Sequence, residues 1–399
     1  MVDFDGTCTE HDTTPLLPRL AAFASRQRSS VVSDCNESSE IQGNKKNDNG
    51  GGVVDNQLHM QDLEQRMRKF QQLEEEYIRR YDEAKSSLLR AKNDDDSHLQ
   101  HQSIHEMLDA LDEPSTIVTQ MVSESRVLEG LGHVDAEELG GILQLQTELT
   151  TTTVATVGDF EPSEVKGECM GSNEGELEKV VVRLRPGCQR TLSRILSENC
   201  SSDPDTPHNE HEVPPLCWGW NVAVLSINWC PALIDASIVQ PVLKQRCSDL
   251  RIDTCCSMEI PIWSNQVNAD GIISLHVPGA LAKRDRIKEL RRNIQQSSDS
   301  KNIIVYVGDT STDLAALLEA DIGIIMGQIS SSSSVKSVAE RWGIQIVPLS
   351  HRRQHDFGMI GSDYLERWRE QSILWQVESW MEIDEMLLEL DEHWACDVR

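Results

Sequence analysis

Met1-Val2-Asp3-Phe4-Asp5-Gly6-Thr7 opens the chain, and the fold is decided by how this stretch is read. A carboxylate stands at the end of a short apolar strand remnant, and a second carboxylate follows two residues later. In extended backbone, positions i and i+2 face the same side, so Asp3 and Asp5 point together. Gly6 permits the sharp backbone departure that a strand end requires.

Similar strand ends recur downstream. Asn221-Val222-Ala223-Val224-Leu225-Ser226 reads as a buried strand ending in a hydroxyl residue. Ile303-Ile304-Val305-Tyr306-Val307 reads as another, running into Gly308-Asp309. A helix over Leu314 to Glu319 follows, then strands over Ile322 to Met326 and Ile344 to Val347. Strands alternating with helices imply an α/β fold with a parallel sheet covered on both faces. Ligands of such sheets bind outside the carboxyl ends of the strands. Asp3, Ser226 and Asp309 all stand at such ends.

Between the first two strands the pattern changes. After a helix-like stretch from Leu16 to Ala24, Ser29 to Val54 is rich in Ser, Asn, Asp and Gly and reads as a disordered insert. Leu63, Met67, Phe70, Leu73, Tyr77, Tyr81, Ala84 and Leu88 then recur at steps of three and four, the stripe of a long helix. Ile104, Met107, Leu108 and Leu111 predict a second helix, which Pro114 should end or kink, and Ile117, Met121 and Leu128 a third. The expected organisation is a core part over 1–24, a disordered insert over 25–56, a helical domain over 57–149, an irregular linker over 150–178 and the rest of the core over 179–399. A further polar insert covers 197–215.

Composition narrows the partners. Of 399 residues, 66 are acidic and 37 basic, a net charge of −29 that repels nucleic-acid backbones and attracts cations. Only 38% are hydrophobic and 5% aromatic, so part of the length is not packed core. The 11 cysteines include no C-x-x-C pair, which fits a reducing compartment. No apolar run reaches the ~18 residues of a membrane span, and the acidic first residues do not read as a signal peptide.

Taken together, the strand ends have the parts of a phosphoryl-transfer site. Asp3 can attack phosphorus to form an aspartyl-phosphate, and Asp5 can protonate the leaving alcohol and then activate water. Ser226 offers a hydroxyl, and Lys283, in Ala282-Lys283-Arg284-Asp285-Arg286, offers an ammonium. Lys288 or Arg284 could take the place of Lys283. Carboxylates repel a phosphate dianion, so a divalent cation is needed, and magnesium takes oxygen ligands. Asp309 and Asp313 supply further carboxylates one helical turn apart.

These residues resemble the four motifs of the haloacid dehalogenase superfamily: Asp3 and Asp5 the first, Ser226 the second, Lys283 the third, Asp309 with Asp313 the fourth. The resemblance implies a Rossmann-like core, a helical cap between the first and second motifs, and a Mg2+ ion held by Asp3, the Asp5 backbone carbonyl, Asp309 and Asp313. It places Thr7, Ser226, Asn228 and Lys283 at the phosphate. Asp5-Gly6-Thr7-Cys8-Thr9, Leu225 to Cys230, Leu318 to Ile324, Ser330 to Ser334, Val347-Pro348-Leu349 and Ser379 to Ile383 look like the phosphatase half of the bifunctional plant thiamine-biosynthesis proteins. That half hydrolyses thiamine monophosphate and is joined to a TenA-like helical domain.

No TenA-like domain precedes Met1, and only two residues stand before the nucleophile. The expectation is therefore a truncated chain or a lost fusion partner. It is expected in the cytoplasm, or in mitochondria where a missing leader carried it there. The expected partner is a small phosphorylated metabolite. Other esters (phosphoserine, a nucleotide, pyridoxal or pyrimidine phosphate) and a non-catalytic regulatory role stay open on the residues alone. Tyr77, Tyr81 and Trp229 are candidates for an aromatic pocket wall, although packing is the plainer reading of each.

Overall fold

The computed structural model describes residues 1–26, 51–90, 104–146, 180–197, 221–250, 259–297, 302–330, 333–351 and 373–397. The expected inserts within 29–50, 150–175 and 198–215 lie outside the described residues. Helix α1 covers 17–26. Then come α2 (Gly51–Arg90), α3 (Ile104–Ser125), α4 (Ala136–Ile142) and a short strand β1 (Leu143–Gln146). β2 (Val180–Arg183) pairs with β1 in parallel and leads to α5 (Cys188–Ser197). β3 (Val224–Leu225) precedes α6 (Pro231–Ile234) and, after one π-helical turn, α7 (Gln240–Leu250). β4 (Ile262–Trp263) is followed by the antiparallel pair β5 (Gln266–Val267) and β6 (Ile273–Ser274). The remainder alternates: α8 (Ala280–Ser297), β7 (Val305–Gly308), α9 (Leu314–Glu319), β8 (Ile322–Met326), α10 (Ser334–Trp342), β9 (Gln345–Pro348), β10 (Ile373–Val377) and α11 (Trp380–Asp397).

The main sheet is parallel, as the alternation predicts. β7, β8, β10 and β9 lie side by side, β3 pairs with β4, and Val2 bridges the two groups through Val224 and Val307. Although only one residue forms this central rung, it is bonded on both sides. Val2 donates to Ala223 O at 3.0 Å and accepts from Leu225 N at 2.9 Å, while Asp3 N donates to Val307 O at 2.8 Å and Val307 N to Met1 O at 3.0 Å. The first strand is as short as the sequence implies, yet its ladder is complete.

Side chains alternate across the sheet. Val224, Val307, Ile324, Trp375 and Val377 join a cluster that includes α1, α5 and α11. Leu225, Tyr306, Ile325 and Leu374 join a second cluster with α8, α9 and α10. This period of two puts one buried layer on each face. The fold is therefore mixed α/β, with helices flanking a parallel sheet.

Two expectations need correction. α3 runs unbroken through Pro114, so the two helices expected there are one. The ring removes one backbone N–H, but Pro114 is buried and its packing offsets the lost bond. α2 begins at Gly51, inside the stretch expected to be disordered. The stripe on α2 buries Phe70 and Leu73 and sets Tyr77, Tyr81, Ala84 and Leu88 half-buried against the core, as an amphipathic helix should. Among the described residues no helix is long and apolar enough to cross a membrane. Cys8, Cys188 and Cys230 are free and buried, and Cys247 is disulfide-bonded.

Ile324 sits fully buried in β8. Ile324→Ala should cost about 2–5 kcal/mol, read from the urea midpoint. An unchanged midpoint would mean that β8 is not central to the sheet.

Candidate active site

Val2 is the point from which the chain runs to β3 on one side of the sheet and to β7 on the other. A crevice opens outside the strand ends at such a reversal. The next residue, Asp3, is only 3% exposed. Its Oδ2 lies 3.1 Å from Lys283 Nζ, while its Oδ1 is buried without a hydrogen-bond partner.

Lys283, fully buried in the first turn of α8, also donates to Asp313 Oδ1 at 2.7 Å. Burial pushes its pKa down, but Asp3 and Asp313 outweigh burial and raise it, so it stays charged. Of the three lysine or arginine candidates, the structure brings Lys283 to Asp3. Arg284 pairs with Asp285 and Lys288 with Glu319.

Asp313 is enclosed by donors. Tyr306 Oη donates to Oδ1 at 2.7 Å, and the Asp309 N, Thr310 N and Thr310 Oγ1 donors each lie 3.1 Å from Oδ2. Burial pushes its carboxyl up, but Lys283 and these bonds hold it below the usual range. One oxygen from each of Asp3, Asp309 and Asp313 lies within 4.8 Å of the others. Asp309 takes a bond from Thr7 Oγ1 at 3.0 Å, and burial followed by the charge of Asp313 pushes its carboxyl up to about 7. Burial and then Asp313 likewise raise Asp3 well above the usual range, against the pull of Lys283. Buried carboxylates outnumber the one buried cation here, so a divalent cation would balance the cluster. Asp309, lightly bonded, and Asp3, with one oxygen unpartnered, are the carboxylates that could hold it. Asp313, with both oxygens already bonded, stands behind them.

Asp5 makes a separate set of contacts. Its Oδ1 accepts from Thr13 N at 2.8 Å and Thr13 Oγ1 at 2.6 Å, and its Oδ2 accepts from Asn228 Nδ2 at 2.9 Å. Burial, then Asp12, lifts its carboxyl to about 6 despite these bonds. A carboxyl at that value can give and take a proton near neutrality. Ser226 is fully buried at the end of β3, and its Oγ accepts from Asn228 N at 3.2 Å. The Asn228 amide is directed to Asp5 and Thr13.

Several contributors were not singled out by the sequence reading. Arg185 Nε donates to Gly6 O, and its charge pulls on Asp309. Trp380 Nε1 donates to Thr7 O at 2.9 Å, tying the turn after Asp5 to the far end of the chain. Tyr306 and Thr13 act as described above. Arg185 had the one local signal: it stands before Pro186-Gly187, where a strand ends and a helix begins.

The chain is similar to a plant bifunctional protein. It is 24% identical over 399 residues to the bifunctional TH2 protein, mitochondrial, of Arabidopsis thaliana, covering 97% of this chain and 48% of that protein. The relationship read from the motifs is therefore present along nearly the whole chain, which spans about half the length of this relative. No family model matches the chain, and no solved structure matches it.

Gly6 has φ +67°, and a Cβ there would stand 2.0 Å from Asp309 Oδ2. Gly6→Ala should therefore destabilise the protein by about 1–3 kcal/mol through strain and a displaced Asp309. A denaturation midpoint equal to that of the parent would show that the turn and Asp309 are not packed together.

Proposed function

We propose that the chain is a magnesium-dependent phosphatase working through an aspartyl-phosphate on Asp3, with thiamine monophosphate as its preferred ester. The observation that carries the mechanism is the arrangement of Asp3: one oxygen faces the buried Lys283 and the other is unpartnered. A nucleophile needs a free lone pair, and a phosphoryl group needs a cation beside it.

In the first step Asp3 Oδ1 forms a bond to phosphorus while the ester P–O bond breaks, and Asp5 gives its proton to the leaving alcohol. In the second, water attacks phosphorus, the bond to Asp3 breaks, and Asp5 takes the proton of the water. Lys283 offsets the charge of the phosphoryl oxygens throughout. Mg2+, held by Asp3 and Asp309 with Asp313 behind them, would supply the positive charge that lets a dianion approach these carboxylates.

The choice of ester rests on the motif resemblance together with the likeness to the TH2 protein. That relative is named mitochondrial, and for this chain a mitochondrial location stands beside a cytoplasmic one.

The test is phosphate release from thiamine monophosphate and a panel of other small esters, with Mg2+ and with EDTA. Asp3→Asn should abolish release, and thiamine monophosphate should be the best substrate. Another best ester would keep the mechanism and discard the thiamine assignment. No release from any ester would sink the phosphatase reading.

A second prediction reads the ion without turnover. Asp5 at about 6 and Asp309 at about 7 lie above their ordinary value of 3.8. The stability they contribute is complete below that ordinary value and is lost as pH rises through 6 and 7. An ion that requires Asp309 ionised works in the opposite direction, so Mg2+ should raise the melting temperature more at pH 8 than at pH 5. Equal shifts at both pH values would remove Asp309 from the ion site.

A further inference from the structure

Helix α8 carries Lys283 in its first turn and starts at Ala280, directly after Gly279. The first N–H groups of a helix have no partner within it, and a side chain at the N-cap normally supplies one. Gly279 has no side chain to do so. The acceptor comes from α3, 168 residues away. Asp112 Oδ2 accepts from Ala280 N at 2.6 Å, and the Leu281 backbone also bonds Asp112. Gly279 is what admits it, since a Cβ there would stand 2.1 Å from Asp112 Oδ2. The Lys283 N–H closes this same turn onto Gly279 O at 3.1 Å.

A carboxylate suits a helix N-terminus, where the backbone dipoles are positive. Burial pushes the Asp112 carboxyl up to about 7, while the Ala280 N–H pulls it back. Asp112 also occupies the buried side of α3, next to Leu111 and one turn from Leu108, where a solvated acid would not be placed. A second tie runs in parallel: Tyr81 of α2 shares a 2.8 Å hydrogen bond with Ser311, in the loop between Asp309 and Asp313.

We infer that Asp112 is a positioning residue: by capping α8 from the helical segment it sets Lys283 against Asp3, so that Lys283 is correctly placed only while α3 is seated on α8. This rests on the phosphatase reading above, because Lys283 matters to rate only if Asp3 is the nucleophile.

The experiment compares the full chain with Asp112→Asn, which keeps an acceptor oxygen, and Asp112→Ala, which does not. Amide exchange at Ala280 and Leu281 reports the cap. The kcat and KM for p-nitrophenyl phosphate with Mg2+ report the consequence. Asp112→Ala should speed exchange at the two amides about tenfold and lower kcat by about tenfold or more, with KM moving far less. Asp112→Asn should recover most of both. Ala280→Pro, which deletes the donor at a position that tolerates proline, should lower kcat in the same sense.

Unchanged exchange in Asp112→Ala would overturn the cap. Faster exchange with kcat intact, or a kcat that Asp112→Asn fails to recover, would overturn the positioning role. A parent chain that releases no phosphate from any ester overturns the phosphatase reading and the catalytic half of this inference with it, while the exchange rates still judge the cap.

Discussion

Everything in the site leans on one buried ion triplet, Lys283 between Asp3 and Asp313. An ammonium with no exposed surface costs several kcal/mol to desolvate, and only well-placed counter-charges offset that. The partners come from residues 3, 283 and 313, on three different elements. Lys283 can therefore be buried only when the opening strand, the start of α8 and the loop after β7 are all in place. Tyr306 and Thr310 complete the arrangement by bonding the oxygens of Asp313 that the lysine does not fully occupy. Deleting Lys283 would leave two buried carboxylates without their counter-charge, which is more damaging than the loss of the pairs' own attraction.

The sheet turns that electrostatic demand into geometry. A single residue, Val2, forms the central rung, yet it is bonded to β3 on one side and to β7 on the other. Asp3 inherits its position from this double anchorage, and Ser226 and Asp309 inherit theirs from the flanking strands. The turn beyond is held from a distance, by Arg185 on Gly6 O and Trp380 on Thr7 O. Gly6 lets the Asp309 carboxylate approach the backbone more closely than any side chain would allow.

The sequence made some of this legible and not the rest, for physical reasons. Buried parallel strands announce themselves as short apolar runs, so Ile322 to Met326 was bounded correctly and the ends at Ser226 and Asp309 were found. The period of the stripe through Phe70 and Leu73 likewise marked α2. Pro114 misled, because local backbone preference loses to tertiary packing when the ring is buried. Thr13, Arg185, Tyr306 and Trp380 escaped because each acts on a group whose proximity only the folded chain creates. Asn228 stood beside a recognised strand end, but its direction toward Asp5 was a matter of side-chain geometry. Asp112 left a fainter trace, an acid on the apolar side of a helix, which in hindsight is a request for a buried partner.

The position of α2 and α3 carries a last consequence. Asp3 is 3% exposed and Lys283 not at all, so on the proposed reading an ester would reach them only if something moved. Met107, Leu108 and Leu111 of α3 share a buried cluster with Leu225, Val277 and Ala280 of the sheet side. Lifting α3 would uncover apolar side chains at about 1.5–3 kcal/mol for each one fully exposed, besides breaking the bonds of Asp112 and Tyr81. The seated arrangement is therefore the favoured one, and a ligand can shift that balance only by the difference in its affinity for the two states. On the proposed reading, an ester that touched both the strand ends and the helical segment would gain from closure, so selection among esters would reside in α2 and α3 and the chemistry at the strand ends.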